Sequence, residues 1–559
     1  MKINKNKIYL TLLTAILFFT GCNSTKFNPY VPFDSNEIEM TDIVQTSIGK
    51  IRGIKNIDST VELFAGVPYA KAPVGDLRWK EPESLEPMEG VFNADHFAPM
   101  AMQKKNSFIF NVISKTVMHS DGDRTDKAKA SEDCLYLNIW KPADAKTGDN
   151  LPVLVYIHGG SLTGGQSWYE SYDGENFAKK GVVFVTIAYR LGIFGFFTSD
   201  ELAEESPNHT SGNYGLLDQI KALEWINDNI ENFGGNKNNI TIAGESAGSS
   251  SVNALCASPL AKGLFRRAIG ESSSLTVPVP AHTFRSRENA LEVSQKIMKE
   301  YGASSIEEMR AIPAEKLLKT KHLNNAFTVD PYSMPEYPWN IYQKGENNEE
   351  ALLNGFNLRE GDLFILATRV TKNNLYKLVD DSPYVTDPEA VCKLRPVAKR
   401  SDARKLYADL FSAICFTYPH YSWTKTLAGQ GKNVYEYVFT KDNKGLSTYH
   451  SGELVYAYGN LGSNSIYDES DHELSETMMS YWINFARWGD PNGDKTSSDY
   501  GKLLPYWPVS YSSENPDGKV MEFGLNIGMI EDPFMEFYQY LNFDIPEDDR
   551  PVTYGQKED

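Results

Sequence analysis

A serine hydroxyl attacks an acyl carbon at neutral pH only when a base takes its proton and an acid holds that base in the right tautomer. Ser246 is placed for this chemistry. It stands in GESAG (244–248), after the short apolar run 240–243 and before 249–257, which reads as a short helix stopped at Ser258-Pro259. Strand, sharp turn and helix are the setting of a nucleophile elbow, in which the serine sits in a strained conformation with its hydroxyl held clear of the backbone. Gly244 and Gly248 fit that reading, since side chains there would collide with the neighbouring strand and helix.

Three histidines lie downstream in the C-terminal third: His420, His450 and His472. His420 falls among aromatics and reads as packing. His472 precedes a helical stretch and reads as a cap or surface residue. His450 occupies a loop of small residues after the strand 434–439, which suits a general base. The acid should lie between serine and histidine, in a loop following a sheet strand. NLREGD (357–362) follows the short strand at 351–355 and offers Glu360 and Asp362, and the residues alone do not choose between them. The negative oxygen that develops on an attacked ester needs backbone N–H donors. One is that of Ala247, next to the nucleophile. Others should come from the glycine-rich turn HGGS (158–161), where the missing side chains let backbone approach substrate closely.

These loops need a frame. The runs 151–157, 182–188 and 240–243 are continuous apolar strands of the kind buried on both faces of a sheet. Residues 44–54 and 61–66 read as short strands, and 267–270, 351–355 and 434–439 as further ones. Residues 218–229, 288–301 and 473–489 read as helices. Strands alternating with helices predict a mostly parallel sheet covered on both faces. No repeat, low-complexity block or linker divides 41–545, so a single domain is expected there, with a polar tail at 546–559.

The 559-residue chain is 41% hydrophobic, ample for a large core, and carries a formal net charge of -19. It shows no basic stripe, so nucleic acid is not an expected partner. Five scattered cysteines form no disulfide framework and no C-x-x-C metal site. The N-terminus reads as an export signal. Lys2, Lys5 and Lys7 precede the apolar run 8–19, which is too short to span a bilayer. Phe19-Thr20-Gly21-Cys22 resembles a bacterial lipobox, although Phe replaces the usual leading Leu. Residues 1–21 are thus expected to be removed, Cys22 lipidated, and 22–40 to act as a tether. This puts the body outside the cytoplasm, anchored in the cell envelope at the periplasm or outer membrane. A plain secretory signal would leave it fully secreted.

The motifs together resemble the type-B carboxylesterases, the cholinesterase-like branch of the α/β-hydrolases. The matching stretches are GVPYAKAPVGDLRW (66–79), SEDCLYLNIW (131–140), YIHGGS (156–161), AYRLGIFGF (188–196), GNYGLLDQIKALEWINDNIENFGG (212–235), GESAGSSS (244–251), NLREGDLF (357–364), HSGEL (450–454) and FARWGDPNG (485–493). The resemblance covers about 41–543. It implies the α/β-hydrolase fold, a large, mostly parallel central sheet flanked by helices. It implies Glu360 as triad acid, His450 as base, and Gly160, Ser161 and Ala247 as oxyanion donors. It also implies ion pairs of Arg78 with Glu132 and Arg190 with Asp218, and a buried, site-tuning Glu245. Two departures stand out. Ser161 replaces the third oxyanion glycine, so its Cβ is expected to narrow the hole against bulky tertiary alcohol esters. Residues 98–103 offer no cysteine, so Cys134, bridged in many relatives, is expected to be a free thiol. Choline specificity is not implied. The expected activity is hydrolysis of small-molecule carboxylic esters through an acyl-enzyme, with no metal or organic cofactor. The same residues would serve a lipase or transacylase, and a chain of this fold that had lost its nucleophile or base would be an adhesion module. The sequence sets no oligomeric state.

Overall fold

The computed structural model describes residues 39–105, 128–279, 284–322, 325–442, 448–462 and 466–547. The expected export signal, Cys22, nearly all of the tether and most of the polar tail lie outside these residues.

Eleven strands form the main sheet. In chain order they are β1 (Ile54–Lys55), β2 (Val61–Pro68), β3 (Tyr136–Pro142), β4 (Leu151–Ile157), β5 (Val183–Ile187), β6 (Gly235–Glu245), β7 (Arg267–Glu271), β8 (Ala351–Asn357), β9 (Asn433–Phe439), β10 (Val520–Phe523) and β11 (Ile527–Ile530). In space they run β11-β10-β9-β8-β7-β6-β4-β5-β3-β2-β1. Pairing is parallel from β5 through β10 and antiparallel at both edges.

Alternate side chains of the central strands enter opposite cores, the period-two rule of a pleated strand. Val153, Val155, Ile157, Val183, Val185, Ile240 and Ile242 point to one face. Leu154, Tyr156, Phe184, Ala243, Ile269 and Leu353 point to the other. Helix α1 (Tyr214–Asn229) covers the first face with Leu216, Ile220, Leu223 and Ile226, at three- and four-residue spacing. Helix α2 (Ala247–Ala257), which follows the elbow, packs there too. On the second face Leu474, Met478, Trp482 and Phe485 of α5 (Glu469–Trp488) do the same work. Two more helices, α3 (Arg400–Ser412) and α4 (Tyr418–Gly429), join through a π-helical turn, Ala413–Thr417.

Parallel pairing brings the strands' carboxyl ends to one edge. The register pairs Ile157 with Gly244, Glu245 with Glu271, Glu271 with Gly355, and Asn357 with Phe439. The loops beyond these ends hold His158 to Ser161, Ser246, Ser272 and Glu360, and the longer loop after β9 leads to His450.

Some elements differ from expectation. Residues 44–54 form not one strand but a hairpin, Val44–Thr46 against Gly49–Arg52, followed by β1. The chain reverses at Gly49, whose φ of +111° few other residues adopt. Helix α5 begins four residues early because Asp468 and Asp471 form a reciprocal capping box. That places His472 inside the first turn, exposed, and not ahead of the helix.

Both implied ion pairs are present. Arg78 makes a two-pronged contact with Glu132 at 2.6 Å on each prong, and the same guanidinium binds the carbonyls of Arg310 and Ile312. Arg190 grips Asp218 of α1 through Nε (2.8 Å) and a terminal nitrogen (2.7 Å), and its backbone N–H adds a third bond at 3.0 Å. Asp218 is wholly buried, so removing it would leave a buried, unpaired guanidinium. Asp218→Ala is expected to destabilise the fold by about 3–5 kcal/mol, read as a lower urea midpoint. An unchanged midpoint would show that the pair does not brace α1 against the sheet.

Candidate active site

The elbow is a close crossing of two strands' ends. A Cβ on Gly244 would lie 2.6 Å from the Gly248 carbonyl oxygen and 2.7 Å from that of Ile157, and one on Gly248 would lie 2.1 Å from the Ile157 oxygen. Only glycines let β6 turn into α2 beneath the end of β4. Ser246 between them is forced to φ +56°, its N–H donating to the Glu271 carbonyl at 2.8 Å. Positive φ costs an L-residue of this kind roughly 1–2 kcal/mol; the strain is held by packing on both sides.

Glu360 and Asp362 part company. Glu360 is fully buried. Its Oε2 accepts the His450 Nδ1–H at 2.6 Å, and its Oε1 accepts from the Asn357 N–H (2.7 Å) and the Ser272 hydroxyl (2.6 Å). Asp362 instead takes both prongs of Arg359 at 2.9 Å, away from the histidine. His450 Nε2 lies 3.2 Å from Glu245 Oε1, which also accepts from the Ser451 hydroxyl at 2.6 Å. Among the described residues no hydrogen bond joins Ser246 Oγ to His450; such contacts are often long in unliganded enzymes and tighten with substrate. Rings of Phe364 and Phe416 stand 5.1 and 4.9 Å from the imidazole. Phe416 comes from the π-helical turn.

The other histidines are structural. His420 is buried, with Nδ1 2.7 Å from Asn354 Oδ1, and burial lowers its pKa to about 3. His158 stacks on Tyr189 and donates from Nδ1 to the Gly159 carbonyl; burial lowers it to about 4.

The glycine turn packs directly on the elbow. A Cβ on Gly159 would lie 2.6 Å from the Glu245 carbonyl oxygen and 3.1 Å from Ser246 Cβ. Gly160 has φ +105° and Ser161 φ +58°. Among the described residues the N–H groups of Gly160, Ser161 and Ala247 donate to no protein acceptor. Three free donors at the turn and the elbow are what an oxyanion would need.

Sequence reasoning missed two further buried carboxylates, Glu271 and Glu453. Glu271 accepts from Trp482 Nε1 (2.9 Å) and Tyr458 Oη (3.0 Å), and burial raises it to about 8. Glu453 accepts from Asn357 Nδ2, and burial pushes it far above the usual range. Glu271 ends a parallel strand and Glu453 stands three residues past His450, positions that could have flagged both. Burial also raises Glu245. For His450 burial works downward, but the negative charges of Glu245 and Glu360 outweigh it and raise the imidazole to about 9.

A model of the carboxylesterase family matches residues 40–539. The chain belongs to the carboxylesterase family. Among its relatives, carboxylesterase 1C of Rattus norvegicus is 34% identical over 507 residues, 83% of this chain and 87% of the relative. The fumonisin B1 esterase of Sphingopyxis macrogoltabida is 31% identical over 499 residues, 85% of each. The crystal structure of a Geobacillus stearothermophilus carboxylesterase superposes with a TM-score of 0.73 at 30% identity, covering 89% of this chain and all of that one. The fold is accordingly that of the α/β-hydrolases, and this carboxylesterase is a serine hydrolase of carboxylic esters. Cys134, next to the Arg190–Asp218 pair, is a buried free thiol, raised by burial.

If His450 acts as a base it must be neutral. With its pKa held near 9, kcat/KM should rise about tenfold per pH unit below that value and level off above it. Glu245→Gln removes one of the charges holding the proton, so the limb should move toward the ordinary imidazole value near 6.5. A pH profile of kcat/KM that is identical in both enzymes would exclude Glu245 from setting the base.

Proposed function

We propose that ester hydrolysis here proceeds through a Ser246–His450–Glu360 triad. His450 Nε2 takes the Ser246 proton as Oγ attacks the ester carbonyl. The Gly160, Ser161 and Ala247 N–H groups bind the oxyanion. The tetrahedral intermediate collapses, the C–O bond to the alcohol breaks, and His450 returns the proton to the departing alcohol. Water, deprotonated by the same nitrogen, then cleaves the acyl-enzyme. Glu360 fixes the tautomer with Nδ1 protonated and stabilises the imidazolium. The observation that carries this reading is the 2.6 Å bond from His450 to the buried, otherwise satisfied Glu360, in the loop cluster that also holds the strained serine. The rings of Phe364 and Phe416 against the imidazole favour an ester with an apolar group on that side. The Ser161 Cβ disfavours bulky tertiary alcohols.

Ser246→Ala should abolish hydrolysis of aryl and alkyl esters without changing the circular dichroism spectrum. Glu360→Gln should cut kcat on the order of 10³- to 10⁴-fold, while Asp362→Asn stays near wild type. The reverse order would exchange the roles of the two acids.

We also propose that the mature enzyme begins at a lipidated Cys22 and is held on the cell envelope. The support is the basic segment, the short apolar run and the Gly21-Cys22 junction. Each buried methylene of the acyl chains contributes about 0.8 kcal/mol to anchoring. Cys22→Ser should move activity from the membrane fraction to the soluble one. Wild-type activity that is already soluble, on a chain with an unmodified N-terminus, would exclude the anchor.

A further inference from the structure

Gln103 ends the segment 98–103, outside the main sheet, where Met100–Ala101 pairs with Ala130–Ser131. Its side chain is buried, 5% exposed. Nε2 donates to the carbonyls of Gly165 (2.7 Å) and Ala101 (3.1 Å), and Oε1 accepts the Gly165 N–H at 3.1 Å. Two acceptors on one side and a donor on the other fix which end of the amide is which. The side chain therefore pairs with both polar groups of Gly165, as a neighbouring strand would.

Gly165 is the far foot of the oxyanion turn. The N–H groups of Thr163 and Gly164 both donate to the Gly160 carbonyl, at 3.0 and 2.9 Å, closing 160–164 into one compact turn. Gly165 has φ +106°, and a Cβ on it would lie 2.3 Å from both the Gly159 carbonyl oxygen and His158 Nδ1. It is thus wedged against the peptide that precedes Gly160. Outside the turn, Asn325 donates to the Ser161 carbonyl (3.2 Å) and the Gly192 N–H to that of Leu162 (2.7 Å). These ties hold the crown of the turn, whereas Gln103 holds its foot. The segment carrying Gln103 has no disulfide to fix it. Met102 is instead buried in an apolar cluster with Trp79 and Phe194, and the amide is the segment's polar link to the turn.

We propose that Gln103 is a positioning residue for the oxyanion hole: by clamping Gly165 it keeps the Gly160 and Ser161 N–H groups aimed at the developing oxyanion. The proposal rests on the triad and oxyanion assignment above. Gln103 touches no substrate; it acts through the backbone, and a donor displaced by about 1 Å costs on the order of 10²-fold in rate.

Gln103→Met keeps the volume and removes both bonds to Gly165. In this variant kcat should fall on the order of 10²-fold with KM nearly unchanged. The inhibition constant of a trifluoromethyl ketone, which mimics the tetrahedral oxyanion, should rise by the same factor. Titration with an organophosphonate at saturating reagent and time should still find one reactive serine per chain, so that the loss is per site. Gln103→Asn, one methylene short of Gly165, is measured in parallel and should behave the same way if the methionine variant fails to fold. Wild-type kcat and inhibition constant, or a loss that disappears when rates are divided by titrated sites, would overturn the clamp. Ser246→Ala is assayed alongside: an inactive Ser246→Ala with a normal Gln103→Met sinks the clamp alone, whereas an active Ser246→Ala sinks the triad reading beneath it.

Discussion

The site depends on one steric constraint, the passage of β6 and its elbow under the end of β4. Gly244, Gly248 and Gly159 meet the carbonyl oxygens of Ile157, Gly248 and Glu245 at distances that admit no side chain. That contact forces Ser246 to positive φ, starts α2 one residue later, and presses the glycine turn against the nucleophile. The parallel register then brings Ser272 and Glu360 to the same edge, where a hydrogen bond to the histidine needs no long reach.

Electrostatics adds a second layer. An uncompensated buried carboxylate costs several kcal/mol, yet Glu245, Glu271, Glu360 and Glu453 are all buried, with Glu360 against His450 Nδ1 and Glu245 against its Nε2. Their donors are not shared equally. Glu360 has three, from His450, Asn357 and Ser272. Glu271 has an indole and a phenol, and burial still raises it to about 8. Burial raises Glu245, Glu271 and Glu453 alike, and the donors each carboxylate finds offset that cost by different amounts.

Much of this was legible in the sequence. The parallel core was, because strands buried on both faces read as unbroken apolar runs. The elbow was, because glycine spacing reports a steric need. The choice between Glu360 and Asp362 was not legible from residue types, since each is an acid in the same loop; it turns on which one the chain points inward, and Arg359 draws Asp362 outward. The start of α5 was hidden because its first turn is defined by the Asp468 and Asp471 caps and not by apolar spacing. Glu271, Glu453 and Gln103 were invisible for a different reason. Each acts through partners distant in sequence, from 62 residues for Gln103 with Gly165 to 211 for Glu271 with Trp482, and nothing local announces such a contact.

The central claim is that Ser246 is the activated nucleophile and that His450 activates it. Stoichiometric reaction with a fluorophosphonate, followed by peptide mapping, tests this most directly. One adduct per chain is expected, on Ser246, and a His450→Ala chain should react at a rate lower by several orders of magnitude. An adduct on another serine, or equally fast labelling without His450, would contradict the account.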